Sequence, residues 1–129
     1  MDKSFNLEII SPEKILLTDK VSAVTIPSFE GEMTILAEHI PLITFLRPGI
    51  INVNGAKEKK IFLEEGTVEF SNNTLIILSS TIISLDLLNN QKISKMVEES
   101  KSQLNKEELD DKTRYIAFHK FDSLSKINQ

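Results

Sequence analysis

The chain has 129 residues, is 40% hydrophobic, and carries a formal net charge of −4 with no cysteine. That length fits one domain, or one domain with a small appendage, and the apolar content suffices for an ordinary core. A disulfide framework, thiolate metal sites and thiol nucleophiles are excluded, and the acidic balance argues against nucleic-acid binding, where clustered positive charge supplies most of the affinity.

Up to Ser80 the chain is a series of short apolar runs separated by turn residues. The pattern predicts strands over Phe5–Ile10, Lys14–Leu17, Val21–Ile26, Met33–Leu36, Leu42–Leu46, Ile50–Val53, Lys60–Glu64, Thr67–Phe70 and Leu75–Ser79. Alternation is clear in Ser22-Ala23-Val24-Thr25-Ile26 and in Thr67-Val68-Glu69-Phe70, as expected of strands with one buried and one wet face. Turns are expected at Ser11-Pro12, Pro27-Ser28, Glu30-Gly31, Pro48-Gly49, Asn54-Gly55, Glu65-Gly66 and Asn72-Asn73. Many short strands at this spacing predict an antiparallel β-sandwich or barrel.

After Asp86 the character changes. Residues 67–129 contain neither glycine nor proline, and β-branched residues give way to Lys, Glu, Gln, Ser and Leu. Asn89 or Asn90 can cap a helix bearing Ile93, Met96, Val97 and Leu104 on one face, with Ser100 filling the gap between them. Asn105-Lys106-Glu107-Glu108 has the logic of a capping box and predicts a second helix over 106–121, with Leu109, Ile116 and Ala117 apolar and Tyr115, Phe118 and Phe121 widening that surface. Charge divides at the same place: residues 1–86 carry a net −5 and residues 87–129 a net +1. The expected organisation is a β-sandwich domain over 1–86 and a helical hairpin domain over 87–129, mainly β overall.

Catalysis has no visible carrier. The two histidines, His39 and His119, lie eighty positions apart in segments of different type, which does not suit a metal site. No serine sits in a nucleophile elbow, and no glycine-rich loop is present to cradle a phosphate. The pairs Glu64/Glu65, Glu98/Glu99 and Asp110/Asp111 are adjacent in sequence, so their side chains diverge and read as solvated charge. His39, between a turn and Pro41, reads as a hydrogen-bonding loop anchor. Neither a cofactor nor a metal is expected. The N-terminus lacks a secretory pattern, and no apolar run approaches the roughly 20 residues needed to cross a bilayer. A place in the cytoplasm or on the inner side of a membrane complex, without direct membrane insertion, is therefore expected.

One stretch carries more information than the rest. The run Glu30-Gly31-Glu32-Met33-Thr34-Ile35-Leu36-Ala37-Glu38-His39-Ile40-Pro41-Leu42-Ile43-Thr44-Phe45-Leu46-Arg47-Pro48-Gly49 resembles the signature of the epsilon subunit family (delta in mitochondria) of rotary, proton-translocating ATP synthases. The likeness extends to Leu7-Glu8-Ile9-Ile10-Ser11-Pro12, to Leu75-Ile76-Ile77-Leu78 and to the polar helical tail. It implies a noncatalytic central-stalk subunit on the cytoplasmic face of an energy-transducing membrane. Its sandwich would dock on the gamma subunit and the ring of membrane subunits, and its helices could reach the alpha/beta head. In the family, the Glu30-Gly31-Glu32 turn faces the polar loops of the rotor ring. The candidate partner-binding residues are Glu30, Gly31, Glu32 and His39.

The chain also departs from the family. Thr34, Ala37 and Glu38 stand where many relatives have Gly, Pro and Gly. In Leu85-Asp86-Leu87-Leu88-Asn89-Asn90 the aspartate of the family's nucleotide pattern is kept, but asparagines replace Arg-Ala and Met96 replaces a later basic residue. Loss of guanidinium forks removes the charge-assisted pairing that phosphate recognition uses, so ATP binding is not expected. The second helix mixes Lys112, Arg114 and Lys120 with Glu107, Glu108, Asp110 and Asp111, which does not favour strong docking onto acidic loops. The rival readings are a free-standing β-sandwich ligand-binding module with a helical tail, and a small hydrolase or isomerase.

Overall fold

The computed structural model describes residues 3–85, 88–106 and 108–127. Ten strands precede two helices: β1 (Phe5–Ile10), β2 (Ile15–Val21), β3 (Ala23–Ser28), β4 (Gly31–Leu36), β5 (Leu42–Leu46), β6 (Gly49–Asn54), β7 (Glu58–Leu63), β8 (Gly66–Ser71), β9 (Thr74–Leu78), β10 (Ile83–Ser84), α1 (Asn90–Leu104) and α2 (Asp111–Lys126). The nine expected strands all form, and the short β10 adds itself to β7. The boundary between β2 and β3 falls at Ser22, later than the sequence pattern suggested. There the backbone N–H and the hydroxyl both donate to the Asn54 carbonyl, at 2.8 and 3.0 Å, and the chain leaves one ladder for another.

The strands run in the order β10-β7-β6-β3-β5-β8-β9-β1-β2, with β4 on the free edge of β3. β3 is the corner that curls this sheet into a sandwich. Its first half, Ala23–Thr25, pairs with β6, whereas Ser28 at its end pairs with Leu46 of β5 on the same edge. Pro27 sits where the partner changes; it has no N–H to place in a ladder, and its carbonyl accepts from the Arg47 N–H at 3.0 Å. Pairing is antiparallel except between β1 and β9, which run parallel. A parallel pair needs a long connection, and here everything from β2 to β8 supplies it.

The core fills from both layers. Phe5, Leu7 and Ile9 of β1 alternate inward and meet Leu75 and Ile77 of β9, Val68 and Phe70 of β8, and Ile26, Ile35, Ile51 and Val53 from the facing layer. The Phe5 and Phe70 rings meet edge to face, with centroids 5.7 Å apart.

The helices form a hairpin folded onto the sandwich. Asn89 caps α1, its side chain accepting from the Lys92 N–H at 2.8 Å. Ile93 is buried on the predicted face, and Ser100 does fill the gap there, its hydroxyl donating to the Met96 carbonyl. The second helix starts later than the sequence pattern suggested. Asn105 ends α1, its N–H reaching back to the Lys101 carbonyl, and Asp110 is the cap of α2, accepting from the Thr113 N–H at 2.7 Å. An aspartate at that position complements the positive end of the helix better than an asparagine does. The hydrogen bonds from Thr113 hold the Asp110 carboxyl below the usual carboxylate range. Extension of α2 to Lys126 brings Leu124 into a fully buried position that a helix ending at residue 121 would have left unused. Asp86 and Glu107 lie outside the described residues. Among the described residues no helix is long and apolar enough to cross a membrane.

Candidate partner-binding surface

Glu30, Gly31 and Glu32 occupy the tight hairpin between β3 and β4, closed by the pair Ser28 and Gly31. The buried Ser28 hydroxyl donates to the Gly31 carbonyl at 2.8 Å and accepts from the Glu30 N–H at 3.2 Å. Gly31 has φ +124, a conformation that side chains rarely adopt, although a Cβ there would meet open space. Glycine is thus required by backbone shape and not by crowding. Both glutamates are exposed. The turn is braced from behind by α2: the Tyr115 ring stacks on Phe29 at 5.7 Å, and its hydroxyl donates to the Phe29 carbonyl at 2.8 Å.

His39 is at the other end of β4, separated from this turn by a strand of roughly 17 Å. Its N–H donates to the Leu36 carbonyl at 3.1 Å, its Nδ1 donates to the Ile40 carbonyl at 2.8 Å, and its ring meets Phe70 edge-on at 5.9 Å. This is the loop anchor the sequence suggested. Glu38 beside it has φ +66, a left-handed backbone that favours glycine and is held here by a glutamate. The Asn73 side chain accepts from the Glu38 N–H at 2.8 Å and donates to the Ser4 carbonyl at 2.9 Å, tying the loop to β1 and β9.

The four candidates are therefore not one cluster, but β5 connects them. It starts beside His39 and Ile40 and ends at Leu46, paired with Ser28 at the Glu30 turn. Along it Ile43 and Phe45 point outward, 76% and 63% exposed. Register extends them into two rows across the outer face: Phe45, Thr67, Leu78 and Ile10, then Ile43, Glu69, Ile76 and Glu8. A groove of about 1060 Å³ continues the first row towards Lys112 and Ile116 of α2, with Glu30 and Glu65 among its lining.

Sequence reasoning did not single out this apolar face, yet its signal was present. The run Leu75–Leu78 is unbroken and Leu42–Leu46 is interrupted only by Thr44, so neither has the polar alternation of a strand with one wet face. Such strands are built to be covered on both faces, and the sandwich covers only one. Nothing in the arrangement converges for bond chemistry: His39 and His119 are apart, Glu64 is taken by Lys120, and no group of three or more metal-ligating side chains forms among the described residues.

Comparison with known proteins gives a consistent result. The model of the ATP synthase Delta/Epsilon chain, beta-sandwich domain, matches residues 4–85. An ATP synthase epsilon chain from Pelagibacter ubique is 37% identical over 130 residues, covering 99% of this chain and 100% of that protein. One from Afipia carboxidovorans is 38% identical over 106 residues, covering 81% and 78% respectively. Among solved structures, a chain of the Euglena gracilis mitochondrial ATP synthase, in its OSCP/F1/c-ring structure, superposes with a TM-score of 0.79 at 24% identity, covering 98% of this chain and 82% of that one. The family model over residues 4–85 and the Pelagibacter relative at matching length agree: the chain belongs to the delta/epsilon chain family of ATP synthase.

Proposed function

We propose that the chain is the noncatalytic epsilon subunit of a proton-translocating ATP synthase, seated in the central stalk between the gamma subunit, the rotor ring and the catalytic head. The observation that carries this reading is the full-length match to an epsilon chain, end to end in both proteins. The chain makes and breaks no bonds; it holds interfaces so that torque from proton flow reaches the head. A free-standing ligand-binding module does not account for an ATP synthase epsilon chain that matches over this whole length.

The geometry supports a division of labour. Gamma would lie along the outer face of β5, β8, β9 and β1, where Ile43, Phe45 and Leu78 await cover, with His39 at one end of the stripe. The turn at Glu30, Gly31 and Glu32, at the other end, would meet the polar loops of the ring. Residues 1–86 would form the docking unit and residues 87–129 a regulatory hairpin able to leave it, reaching the alpha/beta head when extended. The protein would be peripheral, on the cytoplasmic face of the energy-transducing membrane.

The test is capture of the tagged chain from detergent-solubilised native membranes. Recovery of gamma, ring subunits and the alpha/beta head in one complex is the expected result. Recovery of the chain alone, while an intact ATP synthase remains in the same extract, would overturn the reading.

A further inference from the structure

The outer face of the sandwich changes character from row to row. The first row, Phe45, Thr67, Leu78 and Ile10, continues onto exposed Ile15 of β2 and is apolar but for Thr67. A third row, Ser71, Thr74, Asn6 and Lys20, is wholly polar. Between them runs Ile43, Glu69, Ile76, Glu8 and Thr18, in which two carboxylates stand on either side of Ile76.

Both carboxylates leave the sheet on this side. Glu8 lies between buried Leu7 and Ile9, and Glu69 between buried Val68 and Phe70, so alternation turns each outward. One strand separates them, which sets their backbones roughly 10 Å apart. Neither has an ion-pair partner among the described residues; Lys3–Glu38, Lys120–Glu64 and Lys126–Asp122 all form without them.

In water such charges are stable. A partner that covers Phe45, Leu78 and Ile10 also takes water from the neighbouring row, and a carboxylate that loses water without a counter-charge opposes docking. Resting on the reading that gamma covers this face, we infer that Glu8 and Glu69 are its specificity determinants and together receive one arginine side chain of gamma, laid over Ile76. A guanidinium suits the place: its fork can donate to a carboxylate on each side, and it is more weakly hydrated than a lysine ammonium, whose point charge matches two separated acceptors less well. The same two acids disfavour a second copy of this chain on the face, since that would set one acidic row against another.

The test is calorimetric titration of the full chain with the purified gamma subunit of the same source. Glu8→Gln and Glu69→Gln keep side-chain size, and each should weaken binding by about tenfold. A single replacement leaves the arginine one partner and both together leave it none, so the double variant should weaken binding by more than the product of the two single effects. Phe45→Ser, which cuts into the apolar row, should also weaken binding and reports on the docking face independently of charge. Weakening by Phe45→Ser with unchanged or tighter binding of the two glutamine variants would overturn the inference and leave the docking face standing. A double variant equal to the product would show two independent contacts and overturn the shared arginine. No binding of gamma by the folded native chain would overturn the functional reading and this inference with it.

Discussion

The Tyr115 hydroxyl donates to the Phe29 carbonyl at 2.8 Å, bridging residues 86 positions apart and tying the second helix to the hairpin that carries Glu30 and Glu32. The same two residues stack, with an interplanar angle of 19°. Replacing Tyr115 with Phe keeps the stack and removes the hydrogen bond. Net loss of one such bond costs about 1 kcal/mol, so the released fraction of the hairpin should rise about fivefold. Hydrogen exchange of α2 amides should accelerate by that factor, while exchange in β1 and β9 should not change.

Gly49 and Pro27 meet at the corner of the sandwich, where a Cβ on Gly49 would lie 2.5 Å from the Pro27 Cβ. That contact is between a backbone-fixed atom and a rigid ring, so neither can yield cheaply. Gly49→Ala should destabilise the fold by about 1–3 kcal/mol, read as a lower midpoint in urea unfolding with an unchanged slope.

Most of the fold could be read from residue pattern because strands and turns are local features. Alternation in Thr67–Phe70 and the turn pair Asn72-Asn73, both with positive φ, needed no tertiary information. The errors came where two local rules competed. Asn105 satisfies the rule for starting a helix, but the three-dimensional chain uses it to stop one, because Asp110 offers α2 a charged cap. The corner at Pro27 was legible as a turn but not as a change of sheet partner, since pairing register is set by strands far along the chain. At the candidate surface, the turn at Glu30–Glu32 and the anchor at His39 were visible as residues. Their connection through the outer face of β5 was not, because exposure of Ile43 and Phe45 depends on what the rest of the chain leaves uncovered.

A fragment ending at residue 86 should fold alone. All ten strands precede that point, and the sandwich core of Phe5, Ile9, Ile26, Ile77 and their neighbours draws no residue from the helices. The fragment should unfold in one cooperative transition and still bind gamma. Loss of either property would show that the hairpin is part of the docking unit.

Glu32 should matter for coupling and not for folding. It is exposed in the second position of β4, so Glu32→Lys should shift stability by no more than about 0.5 kcal/mol. If the turn meets the rotor ring, reversed charge at that interface should weaken assembly or lower proton-driven ATP synthesis. A variant that assembles and couples normally would reduce Glu32 to a solvated turn residue.

The central claim is tested most directly in vesicles reconstituted with an ATP synthase from the same source stripped of its epsilon subunit. Proton-driven ATP synthesis should be low without this chain and should recover on its addition, together with stable attachment of gamma to the ring. Failure of the folded, full-length chain to bind the stripped complex or to restore synthesis would contradict its assignment to the central stalk.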